Sequence, residues 1–197
     1  RYPRVLSELN AEQFAQLGAE YLSGTRVYRS ARAGLPVPFF MSASWSARAL
    51  LLVARDVVVS CGHTDASAEL AELAFDRGAR TVTHLFNAMR PFMHRDPGIV
   101  GAALARKDVI VQIIVDGIHL APETTSLIWS AAAGRVALVT DAVAAANGGE
   151  DSYSLGSVEL SIGDGAVRGP DGILAGSVLT MIDAVRNLHA LGAPLEL

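Results

Sequence analysis

Four residues that can bind a metal or transfer a proton follow apolar runs along the chain. They are, in chain order, His63, His84, His119 and Asp141. Neutral imidazoles from adjacent strands are standard ligands for zinc and other divalent transition metals. A nearby carboxylate can take a proton from an activated water molecule and return it to a leaving group. We expect His63 and His84 to bind a metal, Asp141 to act as the acid/base and His119 to position the substrate. Spacing alone does not separate these roles among the three histidines.

These residues need structural elements that bring them to one edge of the fold. Short apolar, largely β-branched runs predict four strands, at 56–63, 79–85, 108–120 and 135–143. Segments with helical spacing of apolar residues lie between them, at 65–78, 98–105 and 121–134. Regular alternation of strand and helix predicts a parallel sheet, whose carboxyl ends share one edge. In a (β/α)8 barrel, the catalytic residues occupy that edge.

The two ends of the chain differ from this alternating middle. Residues 153–177 contain short alternating runs interrupted by Gly-Asp-Gly and Gly-Pro-Asp-Gly, which predict β-hairpins. Residues 177–192 return to a helical pattern. Near the start, residues 7–22 predict a helix with Ser7 as its N-cap, and the rest of 1–55 has no clear period.

Composition excludes several classes of protein. The 197-residue chain is 51% hydrophobic and 18% charged, so it can bury a sizeable core. Its net charge is −4, and its Lys and Arg residues are scattered, which argues against a nucleic-acid surface. One or two placed arginines would still suffice to bind a phosphorylated small molecule.

The cysteine content and the lack of a long apolar stretch predict a cytoplasmic protein without a membrane span. Cys61 is the only cysteine, which excludes an internal disulfide, and it ends an apolar run, so we expect a buried structural thiol. No stretch reaches the ~18 uninterrupted apolar residues of a membrane span, and 35–54 comes nearest. No signal peptide is visible. The chain begins without methionine, which indicates a processed or partial product.

Five motifs occur in an order that points to one enzyme family. They are "GHTDAS", "THLFNAM", "DGIHL", "LVTDAV" and "LAGSVLTM", spread over residues 56–190. Together they closely resemble N-acetylglucosamine-6-phosphate deacetylase of the amidohydrolase superfamily. That family combines a (β/α)8 barrel with a small β-sandwich domain and releases acetate from N-acetylglucosamine 6-phosphate, leaving glucosamine 6-phosphate.

The resemblance assigns roles to individual residues. It implies that His63 and His84 bind the metal and that Asp141 is the catalytic acid/base. It implies that substrate is contacted by Asn87, Ala88, Arg95, His119, Leu174, Ala175 and Gly176. In the family, the arginine that matches Arg95 reaches the sugar phosphate across a dimer interface, which implies a homodimer. Arg90 and His94 match no family role, although His94 is a weak candidate for phosphate binding.

The resemblance also sets the expected domains and the cofactor. We expect an unassigned segment at 1–55, about the second half of a barrel at 56–150, a β-hairpin segment at 151–176 and a returning barrel helix at 177–197. We expect one divalent metal ion, with zinc preferred and iron, cobalt, nickel or manganese as alternatives. The expected partner is a small phosphorylated amino sugar, with neither nucleic acid nor a membrane.

Two family features have no counterpart here, the upstream "EGP" segment and a later loop whose histidine helps polarise the substrate carbonyl, and their absence leaves other functions open. The family has an upstream "EGP" segment whose glutamate completes the metal site, and none of Glu8, Glu12 and Glu20 is followed by Gly-Pro. We therefore expect this chain alone to retain metal weakly and to show little or no deacetylase activity. One alternative is another amidohydrolase, such as a dihydroorotase or a deaminase. A second is a non-catalytic remnant, or a subunit that completes its barrel by pairing with another chain.

Overall fold

The computed structural model describes residues 27–29, 36–38, 58–143, 152–155, 158–170 and 172–194. The chain divides into two compact units, 1–110 and 111–197. The predicted helix at 7–22 lies outside the described residues. The domain boundaries expected from the sequence stay a prediction.

The described residues of the first unit form one antiparallel and one parallel pair of strands. Strands β1 (Val27–Arg29) and β2 (Pro36–Pro38) are antiparallel, with Tyr28 opposite Val37. Strands β3 (Val59–Cys61) and β4 (Ala79–Val82) are parallel, with Cys61 opposite Val82. The sequence therefore predicted both parallel strands, although each is shorter than its apolar run.

Two helices pack together in the first unit and build its core. Helix α1 (Ala68–Asp76) connects β3 to β4 and begins at Ser67, whose hydroxyl oxygen accepts a hydrogen bond from the Leu70 N–H. Helix α2 (Gly98–Ala105) packs against α1 and covers the range predicted for it. Fully buried side chains from both helices include Phe75, Ile99 and Val100.

Arg106, at the end of α2, joins that helix to α1. Its Nη1 lies 2.9 Å from a Glu72 oxygen and 2.7 Å from an Asp76 oxygen, and its Nε lies 2.9 Å from Asp108 Oδ1. The guanidinium also lies over the Phe75 ring, 5.8 Å from the ring centre. The hydrogen bond from Arg106 lowers the pKa of Asp108 to about 2. The contacts of Arg106 with Glu72 and Asp76 therefore join the end of α2 to α1.

Cys61 is buried, as expected of a structural thiol. Burial raises the pKa of the Cys61 thiol to about 12. We expect a thiol reagent such as Ellman's reagent to modify the folded chain only as fast as the chain unfolds, because the reagent cannot reach the buried sulfur. The experiment compares labelling rates in buffer and in denaturant. Equal rates would contradict the burial of Cys61.

The second unit contains a parallel pair of strands and an antiparallel sheet. Strands β5 (Ile110–Ile113), which begins at the unit boundary, and β6 (Val136–Leu138) are parallel, with Ile113 opposite Leu138. Helix α3 (Pro122–Ala131) lies between them in sequence, with Pro122 in its first turn, as predicted. The predicted long strand at 108–120 is wrong beyond Ile113. The next residues leave the strand, and 116–120 form a loop held by Asp116.

The antiparallel sheet corresponds to the predicted hairpins. Its strands are β7 (Ser152–Leu155), β8 (Val158–Gly163), β9 (Ala166–Arg168) and β10 (Leu174–Ser177), in spatial order β10-β9-β8-β7. Asp164 and Gly165 form the two-residue turn between β8 and β9, with φ values of 51° and 77°. Positive φ at both central residues is what a type I′ hairpin requires.

The last helix closes the core of the second unit. Helix α4 (Met181–Ala190) begins at Thr180, whose side chain accepts the Asp183 N–H at 3.2 Å. It starts four residues later than the predicted range, because 178–180 form the connection from β10. Ala184 packs in a cluster with Ile114, Leu179 and the partly buried Leu138. The Asn187 side-chain amide donates to the Val115 carbonyl at 2.8 Å and so holds the chain just before Asp116.

Candidate metal and acid/base site

His63 and His84 come together directly after two neighbouring parallel strands. Their Nε2 atoms lie 2.8 Å apart, and the ring centres lie 4.7 Å apart with the planes at 66°. His84 is buried, with only 4% of its surface exposed. The Ser60 and Thr83 hydroxyls hydrogen-bond at 2.6 Å and join β3 to the residue that follows β4. The structure therefore brings two imidazole nitrogens close enough to face a common ligand.

The backbone at these positions adopts a conformation that L-residues rarely take. His63 has φ 46° and His84 has φ 29°, and Ala88 and Asp141 lie at 51° and 50°. Left-handed backbone costs histidine and alanine roughly 1–2 kcal/mol each, and aspartate less. Strain of this kind concentrates where function requires a particular side-chain direction. Phe86 and Asp164 also have positive φ, so four of the six such non-glycine residues in the described part of the chain belong to the set that the sequence singled out.

The histidine pair fits two of the ligands of a divalent metal. The two facing Nε2 atoms can share only one proton, and His84 Nδ1 is buried without a hydrogen-bond partner in the described part of the chain. A cation bound by both Nε2 lone pairs would remove the need for a shared proton. Within the described ranges, no group of three metal-binding side chains occurs.

Arg90, for which the sequence suggested no role, links the loops that follow the two histidines. Its Nε and Nη2 bind Asp96 at 2.9 and 2.8 Å, and its Nη1 donates to the Asp65 carbonyl at 3.2 Å. Its backbone N–H donates to the Thr64 carbonyl at 3.0 Å. Sequence reasoning missed this role, since Arg90 and Asp96 become partners only when the loop folds back.

The remaining candidates of the first unit lie on the loop after β4. The Asn87 side-chain amide donates to the His84 and Leu85 carbonyls at 3.2 and 3.3 Å, so it stabilises the turn that carries His84. Ala88 is exposed. Arg95 lies on the exposed stretch 91–95, where its Nη1 contacts His94 Nε2 at 2.7 Å.

His119 is held by an acidic residue in the second unit. Its Nδ1 lies 2.6 Å from Asp116 Oδ2, and the two side chains are only 3% and 6% exposed. Burial raises the pKa of Asp116, but the hydrogen bonds from the His119 side chain and from the backbone N–H groups of His119 and Ile118 outweigh it. The net pKa of Asp116 therefore lies below its ordinary value. Sequence reasoning missed Asp116 as a partner, although "DGIHL" contains both residues.

Asp141 is held by strand β10, the segment predicted to line the substrate pocket. The Ser177 N–H donates to the Asp141 carbonyl at 2.8 Å, and the Ser177 carbonyl accepts the Val143 N–H at 3.1 Å. The Ser177 hydroxyl donates to the Thr140 carbonyl and accepts the Leu179 N–H at 3.0 Å. Ser177 is fully buried, and it fixes the backbone on both sides of Asp141 while the Asp141 side chain stays exposed.

Gly176 allows this close approach. Its φ is 124°, and a Cβ there would lie 2.8 Å from Val143 Cγ1 and 3.1 Å from the Asp141 carbonyl oxygen. The backbone conformation at this position therefore disfavours any residue with a side chain, and there is no space for a Cβ atom. Leu174 and Ala175, the other two residues expected to contact substrate, are half-buried in the same strand.

Replacing Gly176 with alanine is expected to lower the free energy of unfolding by about 2–6 kcal/mol, from backbone strain and from the clash beside Asp141. Gly172→Ala is the matched control, because Gly172 also has positive φ (78°) but a Cβ there would meet nothing within 4 Å. Urea denaturation of both variants separates the two contributions. Equal losses would mean that the approach of β10 to Asp141 is not tight.

The structure thus forms three local groups from the predicted site residues. His63 and His84 meet with Asn87 beside them in the first unit. In the second unit, His119 pairs with Asp116, and Asp141 lies against residues 176 and 177. The assembly of all these residues at one edge stays a prediction.

Comparison with known proteins gives consistent matches to one group of deacetylases. No protein-family model matches the chain. It is 37% identical over 146 residues to N-acetylglucosamine-6-phosphate deacetylase from Vibrio furnissii, covering 74% of this chain and 37% of that protein. It is 39% identical over 137 residues to N-acetylgalactosamine-6-phosphate deacetylase from Escherichia coli O157:H7, covering 70% of this chain and 36% of that protein.

A solved structure agrees with these matches. The chain superimposes on N-acetylglucosamine-6-phosphate deacetylase from Thermotoga maritima with a TM-score of 0.74 at 34% identity, covering 78% of this chain and 44% of that one. The chain spans about two fifths or less of the length of the curated relatives it matches. It is therefore homologous to part of the N-acetylglucosamine-6-phosphate deacetylases.

Proposed function

We propose that this chain contributes the second half of a (β/α)8 barrel and the greater part of the active site of a metal-dependent amino-sugar-phosphate deacetylase. The reaction is the hydrolysis of N-acetylglucosamine 6-phosphate to glucosamine 6-phosphate and acetate. The observation that carries the proposal is the Nε2 pair of His63 and His84, 2.8 Å apart after two parallel strands. The homology of the same segment supports the choice of reaction.

His63 and His84 would hold one divalent cation, zinc or another transition metal, through their Nε2 atoms. When bound, the cation supplies Lewis-acid activation of water and of the acetamide carbonyl. The close approach of the two Nε2 atoms supports this role.

Asp141 would act as the general base and then as the general acid. Its carboxylate takes a proton from the attacking water while the oxygen of that water bonds to the acetamide carbon. It delivers the proton to the sugar nitrogen as the carbon–nitrogen bond breaks, which leaves acetic acid and the amine; at neutral pH these become acetate and the protonated amine. The exposed side chain on a backbone fixed by Ser177 suits a group that must reach a substrate.

The other predicted residues would bind the sugar phosphate. Asn87, Ala88, His119 and the segment Leu174–Gly176 would contact the sugar. In a homodimer, Arg95 would bind the phosphate of the sugar that occupies the site of the neighbouring copy, since a guanidinium can donate two hydrogen bonds to a phosphate group. Its place on an exposed stretch that also presents Phe92 and Met93, 47% and 55% exposed, supports a role at such an interface.

A second candidate substrate is the galacto epimer, N-acetylgalactosamine 6-phosphate. The match to an N-acetylgalactosamine-6-phosphate deacetylase supports this candidate.

No described helix is long and apolar enough to cross a membrane. We propose that the chain acts in the cytoplasm, where sugar phosphates are metabolised.

The test is acetate release from a panel of sugars. Because the chain spans little more than a third of its relatives, the matched segment should replace its counterpart in the Vibrio furnissii deacetylase, and the chain alone should be assayed beside the chimera. We expect the chimera to release acetate from one or both of the N-acetylated sugar 6-phosphates and almost none from unphosphorylated N-acetylglucosamine. It should also release acetate faster than the chain alone. A folded, metal-loaded chimera that releases no acetate from either 6-phosphate would refute the proposal.

A further inference from the structure

We propose that Asp116 is a positioning residue that sets the tautomer of His119, so that Nε2 is the nitrogen His119 offers to the substrate. That the group facing His119 Nε2 is a substrate rests on the proposed function. The arrangement of the two side chains is a property of the free chain and is open to direct measurement.

Both carboxylate oxygens of Asp116 are engaged, each by a different kind of donor. Oδ1 accepts the backbone N–H groups of Ile118 and His119, both at 2.8 Å. Oδ2 lies 2.6 Å from His119 Nδ1. Because both side chains are almost fully buried, water competes little for these bonds, which strengthens them.

The carboxylate dictates which ring nitrogen is protonated. An ionised carboxylate only accepts hydrogen bonds, so the Nδ1 that faces it must carry a proton. In the neutral ring, Nε2 is then an acceptor, and in the charged ring it is a second donor. In either state His119 presents Nε2 on the side of the ring turned away from Asp116. The short bond also fixes the ring plane, as a carboxylate does for histidines in active sites.

Asp116→Asn should reverse the tautomer without dissolving the loop. The backbone N–H groups of Ile118 and His119 need an acceptor, so the asparagine amide oxygen takes the position of Oδ1. The amide NH2 then takes the position of Oδ2 and faces His119 Nδ1. Two N–H donors cannot point at each other, and Nδ1 must therefore give up its proton and become the acceptor. The proton moves to Nε2, and His119 then presents a neutral donor where the native ring presents an acceptor or a charged donor.

The experiment is long-range 1H–15N correlation spectroscopy of the complete 15N-labelled chain, native and Asp116→Asn. We expect a protonated His119 Nδ1 in the native chain and, near neutral pH, an unprotonated Nδ1 with a protonated Nε2 in the variant. His189 is the internal control, because its Nδ1 lies 2.8 Å from the Ala193 carbonyl and should keep its proton in both.

Two results would overturn the proposal. One is a native His119 whose Nδ1 lacks a proton, a result that does not require the variant to fold. The other is a folded Asp116→Asn chain that retains the native His119 pattern, as a purely structural role in the turn would predict. Neither measurement needs substrate, so an absence of acetate release would count against the deacetylase and leave this inference intact.

Discussion

Replacing Asp141 with asparagine is expected to lower the rate of acetate release by roughly 10²–10⁴-fold, the usual contribution of a positioned general acid/base. Asparagine has nearly the same shape and tolerates left-handed backbone, so the φ of 50° at this position should persist. The amide cannot take a proton from the attacking water. The rate should be measured with N-acetylglucosamine 6-phosphate in the active chimera, and metal content should be measured beside it.

The hairpin turn provides a matched control for this substitution. Asp164 is also exposed and has φ 51°, but it forms the turn between β8 and β9. Asp164→Asn should leave the rate unchanged, since asparagine suits a type I′ turn. Turnover close to the native rate in Asp141→Asn would remove Asp141 from the acid/base role, and a loss of metal in that variant would reassign it as a ligand.

Replacing His84 with alanine is expected to weaken zinc binding by on the order of a hundredfold. Structural zinc sites with four ligands bind with roughly 10–16 kcal/mol, which is about 3 kcal/mol for each ligand if it is shared evenly. That amount corresponds to about two powers of ten in affinity. The native chain should itself bind weakly, because its described residues offer only the imidazole pair.

Zinc-dependent stabilisation measures this loss and separates it from any damage to the fold. A ligand at a hundred times its dissociation constant stabilises a protein by about 2.7 kcal/mol. We expect zinc to raise the unfolding midpoint of the native chain and of His94→Ala, a control on the exposed loop, but to leave His84→Ala unchanged. Tight stoichiometric binding that survives the loss of His84 would place the metal elsewhere.

The local sequence was a good guide where short-range physics decides the structure. Apolar β-branched runs predicted β3 and β4, and helical spacing of apolar residues predicted α1. Gly-Asp-Gly predicted the turn between β8 and β9. Each of these depends on residues within one element, so a window of a few residues contains the necessary information.

The same reasoning overestimated the third strand. The apolar run at 108–120 predicted one long strand, but β5 ends at Ile113. The apolar residues 114–115 are buried for another reason, since Ile114 packs against Leu179 and Ala184 of the last helix region. Burial by a distant segment and burial within a strand look alike in sequence, because both select apolar side chains.

By itself, the sequence determined which residue types stand at the ends of the apolar runs, and hence the kind of chemistry this chain can support. Tertiary structure decided how those residues are held. It brought the His63 and His84 nitrogens to 2.8 Å, set Arg90 across two loops, and placed buried Ser177 against the backbone of Asp141. Such contacts join residues far apart in the chain, and their energies depend on burial and geometry that no local window contains.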